Sequence, residues 1–137
     1  MKLTDMELDL GAVDGGAWVS DIPDLEGVSF QVRGTEYGPY QAALRAEMLK
    51  TGRKQRMAST LDTGRFEELT RKLIAKHLLM DWEGIEAADG SDFPYTPEAA
   101  LTFMTDRKYR PIQRGVAYAV DLVDTGLATH REEAAGN

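Results

Sequence analysis

The sequence predicts an α+β domain that is mainly helical, with an N-terminal β-hairpin, about four helices and a second short hairpin between the central and C-terminal helices. Three observations predict it. Runs rich in β-branched and aromatic residues occupy 17–22 and 27–33, as is typical of strands. Apolar residues recur every three or four positions in several later segments, as in amphipathic helices. The pair Asp89-Gly90 favours a tight turn, because glycine takes positive φ at little cost.

Length and composition limit the classes of protein to consider. A chain of 137 residues suits one domain. We expect that domain to span 16–127, after an N-terminal extension over 1–15 and before a flexible polar tail over 128–137. The absence of cysteine excludes a disulfide framework and a thiolate metal site. A formal charge of −7 does not favour duplex DNA as the main partner.

The sequence also predicts a protein that stays in the cytoplasm of the cell that makes it. No apolar run approaches the ~20 residues that span a bilayer, so we expect no membrane partner. The first residues, MKLTDMELDL, carry acids where a signal peptide needs a basic and then an apolar run.

Basic residues are concentrated in the centre of the chain. Nine lysines and arginines lie between positions 45 and 76, whereas acids predominate over 1–36. Such asymmetry can mark a phosphate-binding face, but no aromatic or glycine pattern of a nucleic-acid reader accompanies it. The alternatives are a solvated helical face and a patch complementary to the acidic end of a neighbouring copy. We do not expect nucleic acid as a partner, and the role of the basic segment 50–56 stays open.

Alternating apolar residues predict the second strand of the N-terminal hairpin, and a proline indicates the start of the first helix. In the second strand, Val28, Phe30 and Val32 alternate onto one face. A helix is expected over 39–51, because Pro39 suits a first helical turn. We expect Gly52 to end or weaken this helix and the basic stretch after it to be a loop.

The third element has the strongest amphipathic pattern. Its acids and bases lie opposite one apolar stripe, and Asp62 or Thr63 can cap its start. The stripe consists of Phe66, Leu69, Leu73, Ile74 and Leu78. We expect this helix to form the core.

The stretch 78–100 is predicted to be a hairpin that leads into a capped helix. An extended segment from Asp81 turns Trp82 inward, and an arm around Pro94 returns at a sheet edge, because proline donates no ladder hydrogen bond. Thr96-Pro97 then starts a helix. We assign a structural role in this hairpin to Trp82, Asp89, Gly90, Pro94 and Tyr95. The last helix is expected to stop at Gly126, with an apolar face of Ile112, Val116, Ala119, Val120 and Val123.

No catalytic, cofactor or metal site is predicted. The acids of 81–92 do not follow the spacing of a calcium loop, and His77 and His130 are isolated, which disfavours a histidine metal cluster. The sequence contains no Gly-x-Ser-x-Gly, phosphate loop or dinucleotide fingerprint. We therefore expect a protein that is not an enzyme and needs no cofactor.

The order of motifs resembles that of a known family. AWVSDIPDLEGVSFQVRG supplies a W-V strand followed by a V-R-G strand. LLMDWEGIEAADGSDFPYTPEAALTFMTDRKYRPIQRGVAYAV supplies an L-x-D-W-x-G exit from a helix, a hairpin, P-Y, a helix, D-x-x-Y-R-P and a final helix. Over residues 16–127 this layout is similar to the tail assembly chaperones of siphophages and prophages. The segment 50–60 matches the family pattern least.

The resemblance implies a non-catalytic, mainly helical domain in the cytoplasm of a bacterial host. Such chaperones bind the long, helical, aggregation-prone tape measure protein before the tail tube forms around it, and they are absent from the finished tail. The family often makes a longer product by frameshifting. The resemblance also leaves room for self-association and for contacts with other tail proteins.

A holdase for an amphipathic helix needs an exposed apolar face, and the helix over 39–51 is our candidate. The candidate partner-binding residues are Tyr40, Leu44, Met48 and Leu49, and the alternative is that they belong to the domain's own core. Two other functions remain open at this point. One is a structural virion protein, such as a head–tail joining or tail-tube-associated component. The other is a nucleic-acid-binding regulator that uses Lys50 to Arg56.

Overall fold

Three short strands form one antiparallel sheet in the order β1-β2-β3. The computed structural model of the chain describes residues 1–58 and 63–126. The strands are β1 (Ala17–Val19), β2 (Ser29–Val32) and β3 (Leu79–Glu83). Within the described residues, five α-helices accompany them: α1 (Leu10–Gly15), α2 (Gly38–Ala58), α3 (Thr63–His77), α4 (Pro97–Thr105) and α5 (Arg110–Asp124). The 3₁₀ turns are Leu3–Met6 and Arg107–Tyr109. The predicted α+β, mainly helical class is confirmed.

The first hairpin pairs as the alternation predicts, although β1 is shorter than expected. Val19 lies opposite Phe30, and Phe30 lies opposite Trp82 on the other side. All three side chains are buried. β1 ends at Val19 instead of continuing to Ile22, because Asp21 adopts a positive φ of 55°, which a strand does not accommodate.

The segment after α3 joins the first hairpin and completes the sheet. β3 begins at Leu79, two residues before the expected start, and pairs antiparallel with β2. The sequence pattern predicted the extended conformation but not this partner. Just beyond β3, Gly84 has a φ of +85°, and a Cβ there would lie 1.9 Å from the carbonyl oxygen of Gly27. The connection between β1 and β2 therefore passes directly over the end of β3.

Helix α2 is longer than predicted. It continues through Gly52 to Ala58, so the expectation that Gly52 would end the helix and that a loop would follow is wrong. An interior glycine costs a helix only about 1 kcal/mol relative to alanine. The surrounding Arg, Lys, Gln, Met and Ala residues are all good helix formers, which offsets that cost.

The core lies between the sheet and helices α1, α3, α4 and α5. In α5, Val116, Ala119, Val120 and Val123 are buried, as their spacing predicts. α5 packs closely on the N-terminal half of the chain, because a Cβ at Gly115 would lie 2.7 Å from Leu25 Cδ1 and 2.9 Å from Ile22 Cγ2.

Helices α3 and α1 depart from the predicted pattern in detail. Leu73 of α3 and Leu78, directly after the helix, are buried, but Phe66 remains 40% exposed at the start of the helix. In α1, Val13 is fully buried, although it precedes residue 16, where we expected the domain to begin. The predicted Asp62 or Thr63 cap and the predicted tail over 128–137 lie outside the residues whose side chains are described.

Candidate functional site

The base of α2 is fixed to the end of α5 by a short polar clamp. The Asp124 carboxylate accepts hydrogen bonds from the backbone N–H of Thr35, at 2.8 Å, and from its hydroxyl, also at 2.8 Å. Gln41, in the first turn of α2, donates its side-chain amide to the Thr35 carbonyl. The two Thr35–Asp124 bonds join residues 89 positions apart, and together with the Gln41 bond they fix the first turn of α2 against the end of α5.

Tyr40 also belongs to this base. Its side chain is 3% exposed and lies in the core. Burial raises the pKa of the Tyr40 hydroxyl, and the nearby Asp124 carboxylate raises it further, because a second negative charge beside Asp124 would be unfavourable. Tyr40 therefore anchors the helix and does not lie on an exposed face. One turn further along, Leu44 is half-buried against the same core.

Beyond Leu44 most of the described side chains of α2 are exposed to solvent. Five of the six residues over 45–50 are exposed: Arg45, Ala46, Met48, Leu49 and Lys50. Successive helical residues are rotated by about 100°, so these five positions cover somewhat more than half of the circumference of the helix. Half-buried Glu47 lies on the remaining side, in line with Tyr40 and Leu44. We call residues 45–50 the projecting turns of α2.

The projecting turns expose two large apolar side chains. Met48 is 50% exposed and Leu49 is 67% exposed. Leu44 and Met48 are four residues apart and so lie one above the other on the helix, whereas Leu49 lies about a quarter of a turn around it. The structure thus brings Leu44, Met48 and Leu49 onto one accessible region and separates Tyr40 from them by burial.

Charged residues flank this apolar region, and little holds them in place. Lys50 Nζ lies 3.8 Å from Glu47 Oε1; the Lys50 side chain is 76% exposed and that of Glu47 is 39% exposed. Such a surface pair contributes little to stability. The cationic side chains beside Met48 and Leu49 are therefore available to an acidic partner.

The second hairpin is a structural element of a different kind. Glu86 and Asp92 form an isolated antiparallel β-bridge through their backbones, and Phe93 N–H donates to Ile85 O at 2.8 Å. At its tip, Asp89 Oδ1 accepts from the hydroxyl and the N–H of Ser91. These hydrogen bonds lower the pKa of the Asp89 carboxyl. The acids of the hairpin lie at the surface, and Asp89 acts within its own turn.

Trp82 and Tyr95 place this hairpin on the helices. The Trp82 indole N–H donates to Phe93 O at 2.7 Å, and its ring lies edge-on to Tyr95, with centroids 5.1 Å apart. Phe103 of α4 lies 5.1 Å from Trp82 and 4.7 Å from Tyr109. We call these residues the aromatic cluster: Trp82, Phe93, Tyr95, Phe103 and Tyr109. Pro94 lies exposed between two of its members.

Two polar residues that the sequence analysis passed over hold the scaffold together. Arg33 donates from Nε to Asp14 O at 2.9 Å and from Nη1 to His77 O at 3.2 Å, which ties α1 to the end of α3. Gln113 is 5% exposed and donates its amide to Phe103 O and Asp106 O, both at 2.8 Å. Gln113 lies at a position where the apolar spacing of α5 predicts a buried side chain. A polar residue at such a position was the sequence signal that could have identified it. Arg33 lies in the V-R-G motif, but no local pattern indicated its contacts with the two carbonyl oxygens.

An open depression of about 650 Å³ lies beside the start of α3. Three arginines and two glutamates line it, so their charges largely offset one another; the lining residues are Gly64, Arg65, Glu67, Glu68, Arg71, Thr105 and Arg110. Over residues 1–58 and 63–126, no three acidic or histidine side chains are grouped so as to hold a metal ion. None of the helices in that part of the chain is long and apolar enough to cross a membrane.

Comparison with known proteins gives one family. A family described as "YdaY prophage protein" matches residues 34–137, which covers α2, α3, β3, α4 and α5. No curated protein matches the chain, and no solved structure matches it.

Proposed function

Because this chain belongs to the family of YdaY prophage proteins, we propose that it acts within a phage particle's assembly, as a tail assembly chaperone. In this proposal it binds the tape measure protein and keeps it soluble while the tail forms, in the cytoplasm of the bacterial host. It performs no catalysis and uses no cofactor or metal. Other tail proteins are further partners of the same kind.

The observation that carries the proposal is the exposed apolar region at the projecting turns of α2. Water-exposed Met48 and Leu49 on the open side of a formed helix are the groups that a partner's amphipathic helix can cover. Methionine suits such a contact, because its flexible thioether adapts to irregular partners. Burying a side chain of this size contributes about 1.5–3 kcal/mol, so two of them together give useful affinity.

The way the helix is held supports the same proposal. The Thr35–Asp124 clamp and buried Tyr40 fix the base of α2, while five of the six residues over 45–50 are exposed. A partner can therefore cover the exposed side of these turns without disturbing the core, and it meets a helix that is already formed. A preformed helix lowers the conformational entropy that binding must overcome.

Co-expression with the tape measure protein of the same prophage tests the proposal. We expect the tape measure protein to move from the insoluble to the soluble fraction and to co-purify with this chain. Purified phage particles should lack the chain. If the tape measure protein stays insoluble while this chain remains in purified particles, the protein is a structural virion component and the chaperone proposal is wrong.

A pair of variants locates the contact. Met48→Ser with Leu49→Ser removes both apolar side chains from the projecting turns and should abolish co-purification. Phe66→Ser is the matched control, because Phe66 is an exposed apolar residue of α3, 40% accessible, outside those turns. Equal loss in both variants would contradict the assignment of the contact to α2.

A further inference from the structure

The first residues of the chain form a second uncovered apolar surface. Leu3, Met6, Leu8 and Leu10 are 73%, 60%, 43% and 61% exposed. We call residues 3–10 the N-terminal arm. It comprises the 3₁₀ turn Leu3–Met6, an extended link and the start of α1 at Leu10. The arm is anchored where α1 packs, because Val13 is fully buried.

Apolar and acidic residues alternate along the arm. Leu3 and Met6 lie in the 3₁₀ turn, Leu8 in the extended link and Leu10 at the start of α1, so exposed apolar side chains occur in every part of it. Asp5, Glu7 and Asp9 fall between them, so the arm carries three acids and no base. In the single chain, the apolar side chains of this segment therefore remain exposed to solvent.

The projecting turns of α2 have the complementary character. They expose Met48 and Leu49 beside Arg45 and Lys50. Helix α2 as a whole carries five basic residues and a single acid, Glu47. Two copies of α2 lying side by side would bring like charges together, which is unfavourable. The acidic arm offers both the apolar contact and the opposite charge.

We propose that the N-terminal arm of one copy lies on the projecting turns of α2 of a second copy, and that two such contacts form a symmetric homodimer. In a two-fold dimer each arm meets the same surface of its partner. The second contact then forms within an already joined pair, which strengthens the association. This proposal concerns copies of this chain alone and does not depend on the tape measure protein. Because both contacts use the projecting turns, the arm and the tape measure protein are alternative occupants of the same surface.

Sedimentation of the full chain, in the absence of any partner, tests the dimer. We expect a concentration-dependent dimer that dissociates as salt is raised, because screening weakens contacts between exposed charges. A monomer at every soluble concentration overturns the proposal. It also leaves the co-expression test untouched, so the two proposals fail separately.

Charge reversal and rescue identify the two surfaces. Asp5→Lys with Glu7→Lys in the arm should abolish the dimer, and so should Arg45→Glu with Lys50→Glu in α2. Combining all four substitutions restores opposite charges and should restore the dimer. Asp9 is left intact, because its carboxylate caps α1 by accepting from Ala12 N at 3.2 Å. Asp5 accepts from Lys2 N at 3.1 Å within the 3₁₀ turn, so Glu7→Lys alone, which leaves that bond in place, should also weaken the dimer.

Reversal of exposed acids elsewhere, Glu83→Lys with Asp92→Lys, is the matched control and should leave the dimer unchanged. Unaltered circular dichroism spectra will show that each variant is folded. A dimer that is indifferent to reversal in the arm or in α2, or one that the four-fold variant fails to restore, uses another surface and overturns the proposal. If the arm instead folded onto α2 of its own chain, the protein would sediment as a monomer. A dimer in the sedimentation experiment therefore excludes that arrangement.

Discussion

The second hairpin and the projecting turns of α2 both carry large apolar side chains, but the fold uses them in opposite ways. Trp82 of the hairpin region is 4% exposed and contacts two aromatic rings as well as a carbonyl. Leu49 of α2 is 67% exposed. Apolar residues that lie inside hold the domain together. Those left outside on a formed helix are available to a partner.

Removing the centre of the aromatic cluster should give the largest effect on stability. Trp82→Ala deletes a buried indole that packs on Tyr95 and Phe103, and large-to-small changes of this kind cost about 3–5 kcal/mol. Urea denaturation measures the free energy of unfolding. A loss below about 1 kcal/mol would show that the cluster is not the structural centre of this half of the molecule.

A pair of glycine substitutions separates close packing from turn conformation within the hairpin region. Gly84 and Gly90 have φ values of +85° and +87°. A Cβ at Gly84 meets Gly27 O at 1.9 Å, whereas nothing lies within 4 Å of a Cβ at Gly90.

Gly90→Ala should therefore cost only the left-handed backbone strain, about 1–2 kcal/mol. Gly84→Ala should cost clearly more, about 3 kcal/mol or above, because a backbone segment must also move. Thermal unfolding of both variants checks the order, and equal costs would contradict the close approach of the two connections.

The clamp at the base of α2 should have a smaller effect and a signature in pH. Asp124→Asn weakens the bonds from Thr35, with an expected cost of about 1–2 kcal/mol. It also removes the charge that raises the pKa of Tyr40, so that pKa should fall. It should remain above the ordinary 10.0, because burial is the larger cause. An ultraviolet absorbance titration of the tyrosines measures it.

The Tyr40 hydroxyl also affects how the stability of the fold changes as pH rises into the alkaline range. The pKa of Tyr40 is higher in the folded protein than in the unfolded chain, so the unfolded chain loses this proton first as pH rises. The contribution of Tyr40 to stability is complete below pH 10 and is lost above it. Asp124→Asn should lessen that loss, and an unchanged alkaline profile would contradict the coupling of Tyr40 to Asp124.

Local patterns in the sequence predicted those parts of the fold that depend on neighbouring residues. The alternation of Val28, Phe30 and Val32, the Thr96-Pro97 helix start and the apolar spacing of α5 all correspond to observed elements. The pairing of β3 with β2 was missed, because it joins residues about 50 positions apart and no local signal encodes that register. The length of α2 was underestimated because Gly52 was given more weight than the helix-forming residues around it.

The candidate site was predictable only in part for the same reason. Helical spacing placed Tyr40, Leu44 and Met48 on one face, but spacing does not tell where along a helix the supporting core ends. That boundary falls near Leu44, and the Thr35–Asp124 bonds that hold the base of the helix join residues distant in sequence. The exposure of apolar residues in the arm, such as Leu3 and Met6, could not be predicted from the sequence either. It depends on which surfaces the rest of the folded chain covers.

Amide hydrogen exchange with and without the co-purified tape measure protein tests the central claim most directly. Proposed partner binding at the projecting turns predicts slower exchange over residues 45–50 in the complex, with little change over the hairpin residues 82–95. Protection that appears at the hairpin or at the depression beside α3, with residues 45–50 unchanged, would contradict the distinction between a scaffold that holds the fold and a helix left free for a partner.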